Sequence, residues 1–380
     1  MLFTYKYIKH DIEKLQEFLD FLFYDVWLFA DGEFDAEKLN GNPDLKQIYE
    51  DFGNVDYDPA TAKKGQKGKS EYLFNSSIEK IYAEFAKIDE AYKLELIDLY
   101  HYNNHIELLC SDKSKLPISY AQIKAKYPSL EKAINEFYSK LYGPESPFNL
   151  DAFGQLTKKL IPDHYEAFMT DNNEEVCPFC GILPIKGNNH SYRDAYDHYL
   201  PKGLYPFNSL NFKNLAPMCH ECNSTYKLTD DPIYEDYKKI DPLKKEDNRQ
   251  LAFYPYSENH PELEIKVELT SKDIKNLQPQ DINLEIKSEG NEEQIESWKR
   301  VFGIEERYKA LCCHKNEGLE WFNSVVDGFN NAKEMGVTDF SKWVEFKLKE
   351  AGTNKLSNYG FLKAQFLTEC RDKGIFNANA

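Results

Sequence analysis

Two cysteine pairs constrain this chain more than any other feature: CPFC at 177–180 and CHEC at 219–222, with thirty-eight residues between them. Two thiolates three positions apart turn back onto one ion, and two such pairs supply the four sulfur ligands of a closed tetrahedral zinc site. No coordination position is left for water, so the zinc held by Cys177, Cys180, Cys219 and Cys222 is expected to be structural. Such binding is worth on the order of 10–16 kcal/mol in small zinc peptides, enough to hold together a module too short for a full core. The rival reading is four buried free cysteines. With four cysteines at hand, His220 reads as a surface residue. A simple zinc ribbon has a spacer of roughly fifteen to twenty residues, so these knuckles enclose something more. Cys110, Cys312, Cys313 and Cys370 read as small core residues of a protein in a reducing compartment.

The enclosed segment contains DHYLPK at 197–202 and runs into NLAPMCHECNSTYK at 214–227. An acid, a histidine, two asparagines and a lysine therefore fall between and just after the knuckles. Asp-His-Tyr also occurs at 163–165, but IPDHYEAFM reads as a helix start, with Pro162 at a first helical position and Asp163 in the first turn. His164 is thus an ordinary helix residue, outside the enclosed span. Tyr199 and Tyr205 read as packing residues, and His190 and Arg193 as loop residues facing solvent or phosphate.

Around this module the periodicity is mostly helical. Ile12, Leu15, Phe18, Leu19 and Leu22 follow one helix face, with Asp11 able to cap its start. Further helical segments are expected near 77–110, 129–142 and 149–170, and again in four stretches after residue 291. AKKGQKGKS at 62–70, with four lysines, two glycines and no apolar anchor, reads as a solvated loop, with phosphate contact as its alternative. Leu263, Ile265, Val267 and Leu269 alternate with charged residues, as do Leu284 and Ile286, which predicts two half-buried strands. The expected fold class is α+β: a helical region 1–172, the cysteine-bounded module 173–230, and an α+β region 231–380.

The formal charge of −17 argues against indiscriminate binding to nucleic acid, because an acidic surface repels a polyanion. From Cys177 to Lys227, however, five basic residues face three acidic ones, a local excess of +2. No run approaches the eighteen apolar residues of a membrane span, and the start MLFTYKYIKHDIEKL has no signal-peptide pattern, so a cytoplasmic protein without membrane partners is expected.

The order Cys-x-x-Cys, Asp-His-x-x-Pro-Lys, Asn-Leu-x-x-x-Cys-x-x-Cys-Asn-x-x-x-Lys resembles the HNH endonuclease family, over about 55 residues of the 380. The resemblance implies two antiparallel strands and a helix around one catalytic divalent ion, with a separate zinc in the cysteines. It makes Asp197 and Asn223 ligands of a catalytic Mg²⁺ or Mn²⁺, His198 the general base, and Asn214 the brace of the loop that orients it. Lys227 would contact phosphate or steady the site, and Lys202 would contact phosphate. Residue types agree with that chemistry: an imidazole is neutral and basic at cellular pH, and carboxylate and amide oxygens suit a hard cation. The implied activity is phosphodiester hydrolysis leaving 5′-phosphate and 3′-hydroxyl ends, with DNA favoured over RNA as partner. The layout also resembles nucleases of bacterial antiphage systems of the Septu type, in which an ATPase accompanies the HNH protein. The alternative function is a zinc-stabilised module that binds nucleic acid or protein without cutting.

Overall fold

His10, one residue ahead of the expected Asp11, caps the first helical turn. Its ring accepts from the Ile12 N–H at 3.2 Å while the Glu13 carboxylate accepts from the His10 N–H at 3.2 Å, a reciprocal cap that leaves Asp11 in the first turn. These contacts belong to a computed structural model describing residues 1–235 and 248–378; the part of the expected C-terminal region at 236–247 lies outside them. The turn leads into α1 (Lys14–Phe21), whose Leu15 and Leu19 are buried as the spacing predicts, with Ile12 and Leu22 buried on either side and Phe18 half-buried.

The first region continues through α2 (Pro43–Gly53), α3 (Lys69–Phe85), α4 (Glu90–Asn104), α5 (Ile106–Ser111), α6 (Tyr120–Lys126), α7 (Pro128–Tyr138) and α8 (Ile161–Asp171). Caps set several starts: Asn42 accepts from Leu45 N–H at 3.1 Å with Pro43 in the first turn, and Asp89 accepts from Tyr92 N–H at 2.8 Å. The lysine-rich stretch 62–70 forms turns until α3 begins. Aromatic rings fill the interior: Phe23 stacks on Tyr100 with centroids 3.9 Å apart, and Trp27, Phe74 and Phe137 are fully buried around them.

Among the described residues, two small antiparallel sheets accompany a mostly helical fold. In the first, β1 (Tyr196–His198) pairs with β2 (Leu215–Pro217), placing Asp197 opposite Ala216 and His198 opposite Leu215. In the second, β3 (Glu264–Leu269) pairs with β4 (Ile282–Lys287), and the period-two pattern buries Ile265, Val267 and Leu269. The chain ends in α9 (Glu292–Phe302), α10 (Ile304–Cys313), α11 (Gly318–Glu334), α12 (Phe340–Thr353) and α13 (Gly360–Asp372). The side chain of Glu369 on α13 accepts from the Leu269 N–H of β3 at 3.0 Å. Buried residues from every part of the chain form one continuous hydrophobic core. Among the described residues no helix is long and apolar enough to cross a membrane.

Three-residue strands are too short to stand alone, and tyrosines from outside the sheet complete them. Tyr5 donates to Pro217 O at 3.0 Å and Tyr256 to Leu215 O at 2.5 Å, which satisfies the β2 carbonyls that do not pair with β1. Tyr254 donates to Lys213 O at 3.2 Å, and Tyr199 reaches outward to Phe253 O at 2.5 Å.

Candidate active site and cysteine cluster

The sulfurs of Cys177, Cys180, Cys219 and Cys222 all lie within 4.8 Å of one another and are buried, a set that can hold a zinc ion. The first knuckle turns tightly: the Gly181 N–H donates to Cys177 O at 2.7 Å and the Ile182 N–H to Cys180 Sγ at 3.4 Å. Gly181 has φ +67°, and a Cβ there would lie 1.9 Å from Leu2 Cδ1, so the position demands glycine on both counts. The C-terminal helices grip the cluster from the other side. Trp298 donates to Phe179 O at 2.6 Å, Tyr308 to Cys180 O at 2.9 Å, and Arg307 to Cys222 Sγ at 3.2 Å. A four-thiolate zinc centre carries a net charge of −2, so the guanidinium offsets charge as well as donating. His220 is exposed and no part of the cluster.

After the second knuckle the chain continues as a helical segment, Cys222–Lys227, closed by a Leu228 N–H bond to Asn223 O at 3.1 Å. Tyr226 packs against Gly303, where a Cβ would meet its ring at 2.4 Å, and the Arg307 guanidinium lies 4.4 Å from the same ring centroid. The segment is thereby wedged between β1 and the turn joining α9 to α10.

Lys227 faces β1. Its ammonium is 1% exposed, lies 2.8 Å from Asp197 Oδ2 and donates to His198 O at 2.8 Å. Of the two expected roles, phosphate contact or steadying the site, the geometry is that of the second. The Asp197 side chain keeps 14% of its surface exposed. Asn223 is half-buried, and its side chain makes no hydrogen bond among the described residues, to Asp197 and His198 included. Lys202 donates to Tyr142 O at 3.2 Å, and burial lowers its pKa.

His198 is 7% exposed and its Nε2 lies 2.8 Å from Ser209 O. A carbonyl only accepts, so Nε2 carries the proton and Nδ1 is left as the basic nitrogen. Burial, and then the charges of Lys202 and Lys227, hold the imidazole pKa down at about 3, with the Ser209 carbonyl acting in the opposite sense. The ring is neutral throughout the physiological range.

Asn214 braces the loop that carries Ser209. It accepts from Leu200 N–H at 2.8 Å and donates to Leu200 O at 2.9 Å and Asn208 O at 3.4 Å. Phe207, two residues before Ser209, anchors the same loop among Phe23, Tyr100 and Tyr138 of the helical core, with centroids 5.6, 4.9 and 5.4 Å away. Neither Phe207 nor Ser209 nor Arg307 has a local signature; Phe207 and Arg307 acquire their roles from chain distant in sequence, and Ser209 contributes only its backbone carbonyl.

The second Asp-His-Tyr behaves as expected. His164 sits in α8, 2% exposed, with Nδ1 2.5 Å from the Tyr196 hydroxyl. Burial, and then His10, lower its pKa to about 4. His190 is exposed, and Arg193 is half-buried with its guanidinium 5.9 Å from the Tyr196 ring centroid. Tyr199 and Tyr205 are buried, the latter hydrogen-bonded to Asp231. Compared with protein-family models, curated proteins and solved structures, the chain matches none.

Proposed function

We propose that this chain is a metal-dependent endonuclease of the HNH type, hydrolysing phosphodiester bonds in nucleic acid, with DNA the favoured substrate. One observation carries the reading: His198 holds its Nε2 proton on the Ser209 carbonyl at 2.8 Å, leaving Nδ1 as a base in the strand that bears Asp197. A water attacking phosphorus loses its proton to Nδ1, and the resulting imidazolium keeps its Nε2–H on Ser209. Substrate phosphate drawn toward Lys202 offsets one of the two lysine charges that depress the ring's basicity.

The donors suit a hard cation: the partly exposed Asp197 carboxylate and the unengaged Asn223 amide are both oxygen ligands. Mg²⁺ or Mn²⁺ held by Asp197 and Asn223 would supply charge for the phosphate and the leaving oxygen. Lys227 steadies Asp197, Asn214 steadies the loop behind His198, and zinc in the four cysteines is structural.

The charge of −17 and the large flanking regions support a regulated effector, of the kind used in bacterial antiphage defence with an ATPase partner. Vigorous plasmid cleavage by the isolated chain at physiological salt would argue against that regulation. The nuclease reading itself is tested with His198→Ala, assayed on supercoiled DNA and on RNA with Mg²⁺ or Mn²⁺, alone and with co-purifying protein. Cleavage should disappear while zinc content and fold are retained. If cleavage survives the substitution, His198 is not the base; a wild-type chain that binds nucleic acid and never cuts it is a binding module.

A further inference from the structure

Tyr142 belongs to no motif, yet its ring meets His198 edge-on, with centroids 5.1 Å apart and planes at 84°. It lies in the loop after α7, and its backbone is pinned on every side. Lys202 donates to its carbonyl, Ser146 Oγ donates to Leu141 O at 2.6 Å, and Asn149 donates to Gly143 O at 2.8 Å. The ring is also engaged, with Lys202 Nζ 5.3 Å from its centroid.

The hydroxyl is different: it makes no hydrogen bond among the described residues, although the side chain is half-buried. Arg193 and Asp197 act electrostatically on this phenol, and burial pushes its pKa up to about 12, so it stays a donor. Lys227 pairs with the Asp197 carboxylate and Lys202 acts on it, while Arg193 acts on the Tyr142 phenol, so three cations meet one Asp197 carboxylate around this hydroxyl within an acidic protein. Rigid backbone, engaged ring and free O–H together describe a donor held ready for an anion.

We propose that Tyr142 is a substrate-binding residue of the His198 site, its hydroxyl donating to a non-bridging oxygen of a DNA phosphate held by Lys202 and Arg193. This rests on the nuclease reading, and it makes the helical N-terminal region a direct contributor to the site.

The test uses the whole chain and Tyr142→Phe, which keeps the ring against His198 and removes only the oxygen. Cleavage of a labelled DNA duplex is followed with Mn²⁺, and binding of the same duplex by fluorescence anisotropy with Ca²⁺ in place of Mn²⁺. Loss of one such hydrogen bond should raise KM and the dissociation constant about tenfold, with kcat within about twofold and the melting temperature unchanged. Lys202→Gln should lower the slope of log affinity against log salt by about one, as loss of a phosphate contact does. If Tyr142→Phe binds and cuts like wild type, or is weakened only together with a lower melting temperature, the assignment is overturned while the nuclease reading stands. If wild type neither binds nor cuts DNA or RNA, alone or with co-purifying protein, the nuclease reading fails and the Tyr142 assignment fails with it.

Discussion

The ammonium of Lys227 lies 2.8 Å from Asp197 Oδ2 and is itself buried. The pair joins the helical segment after the second knuckle to β1, and one partner without the other leaves a charge in a dry environment. Lys227→Met should therefore lower the unfolding free energy by about 3 kcal/mol. Adding Asp197→Asn should recover part of that loss. Urea denaturation of both single variants and the double variant checks the coupling; strictly additive effects would deny it.

Asn214 makes three hydrogen bonds from a fully buried position to the loop behind His198. Asn214→Ala strands the Leu200 N–H and should cost about 2–3 kcal/mol. In the proposed enzyme it should also cut cleavage more than it cuts DNA binding, because the imidazole loses its fixed orientation. Thermal denaturation and single-turnover cleavage measure the two effects separately.

His164 titrates at about 4 when folded, because burial and His10 oppose its charge. The unfolded chain takes up a proton on this ring as pH falls below about 6.5. Its contribution to stability is complete above that value and is lost on acidification toward pH 4, amounting to about 3 kcal/mol. Urea midpoints measured from pH 7 to 4 should fall less steeply for His164→Phe than for wild type; parallel slopes would exclude the effect.

Arg307 donates to Cys222 Sγ from a helix more than eighty residues further along the chain. Arg307→Met should weaken zinc retention about tenfold or more, measured by transfer to a chromogenic chelator, and Arg307→Lys should restore part of it. Unchanged transfer would mean that the guanidinium serves the fold alone, through Glu221, Phe302 O and the Tyr226 ring.

Periodicity made most of the helices legible, and strict alternation did the same for β3 and β4, since both depend on near neighbours in sequence. The cysteine cluster was readable because ligand spacing is a covalent constraint. His164 could be set aside on its helical context alone, and it is a buried helix residue. The His10 cap was missed because a ring nitrogen accepted where a carboxylate was expected. Tyr142, Phe207 and Arg307 were invisible for a different reason: each meets its partner only once segments far apart in sequence have packed, whereas Ser209 acts through a backbone carbonyl that any residue carries.

The hydroxyls of Tyr5 and Tyr256 complete the hydrogen bonding of β2 from segments before and after the cysteine-bounded module. Excising residues 173–230 as a transferable cassette would hand those carbonyls back to water and strip Phe207 of its socket. Anyone transplanting this chemistry into another scaffold must carry the surrounding hydroxyls and aromatic wall along with the knuckles.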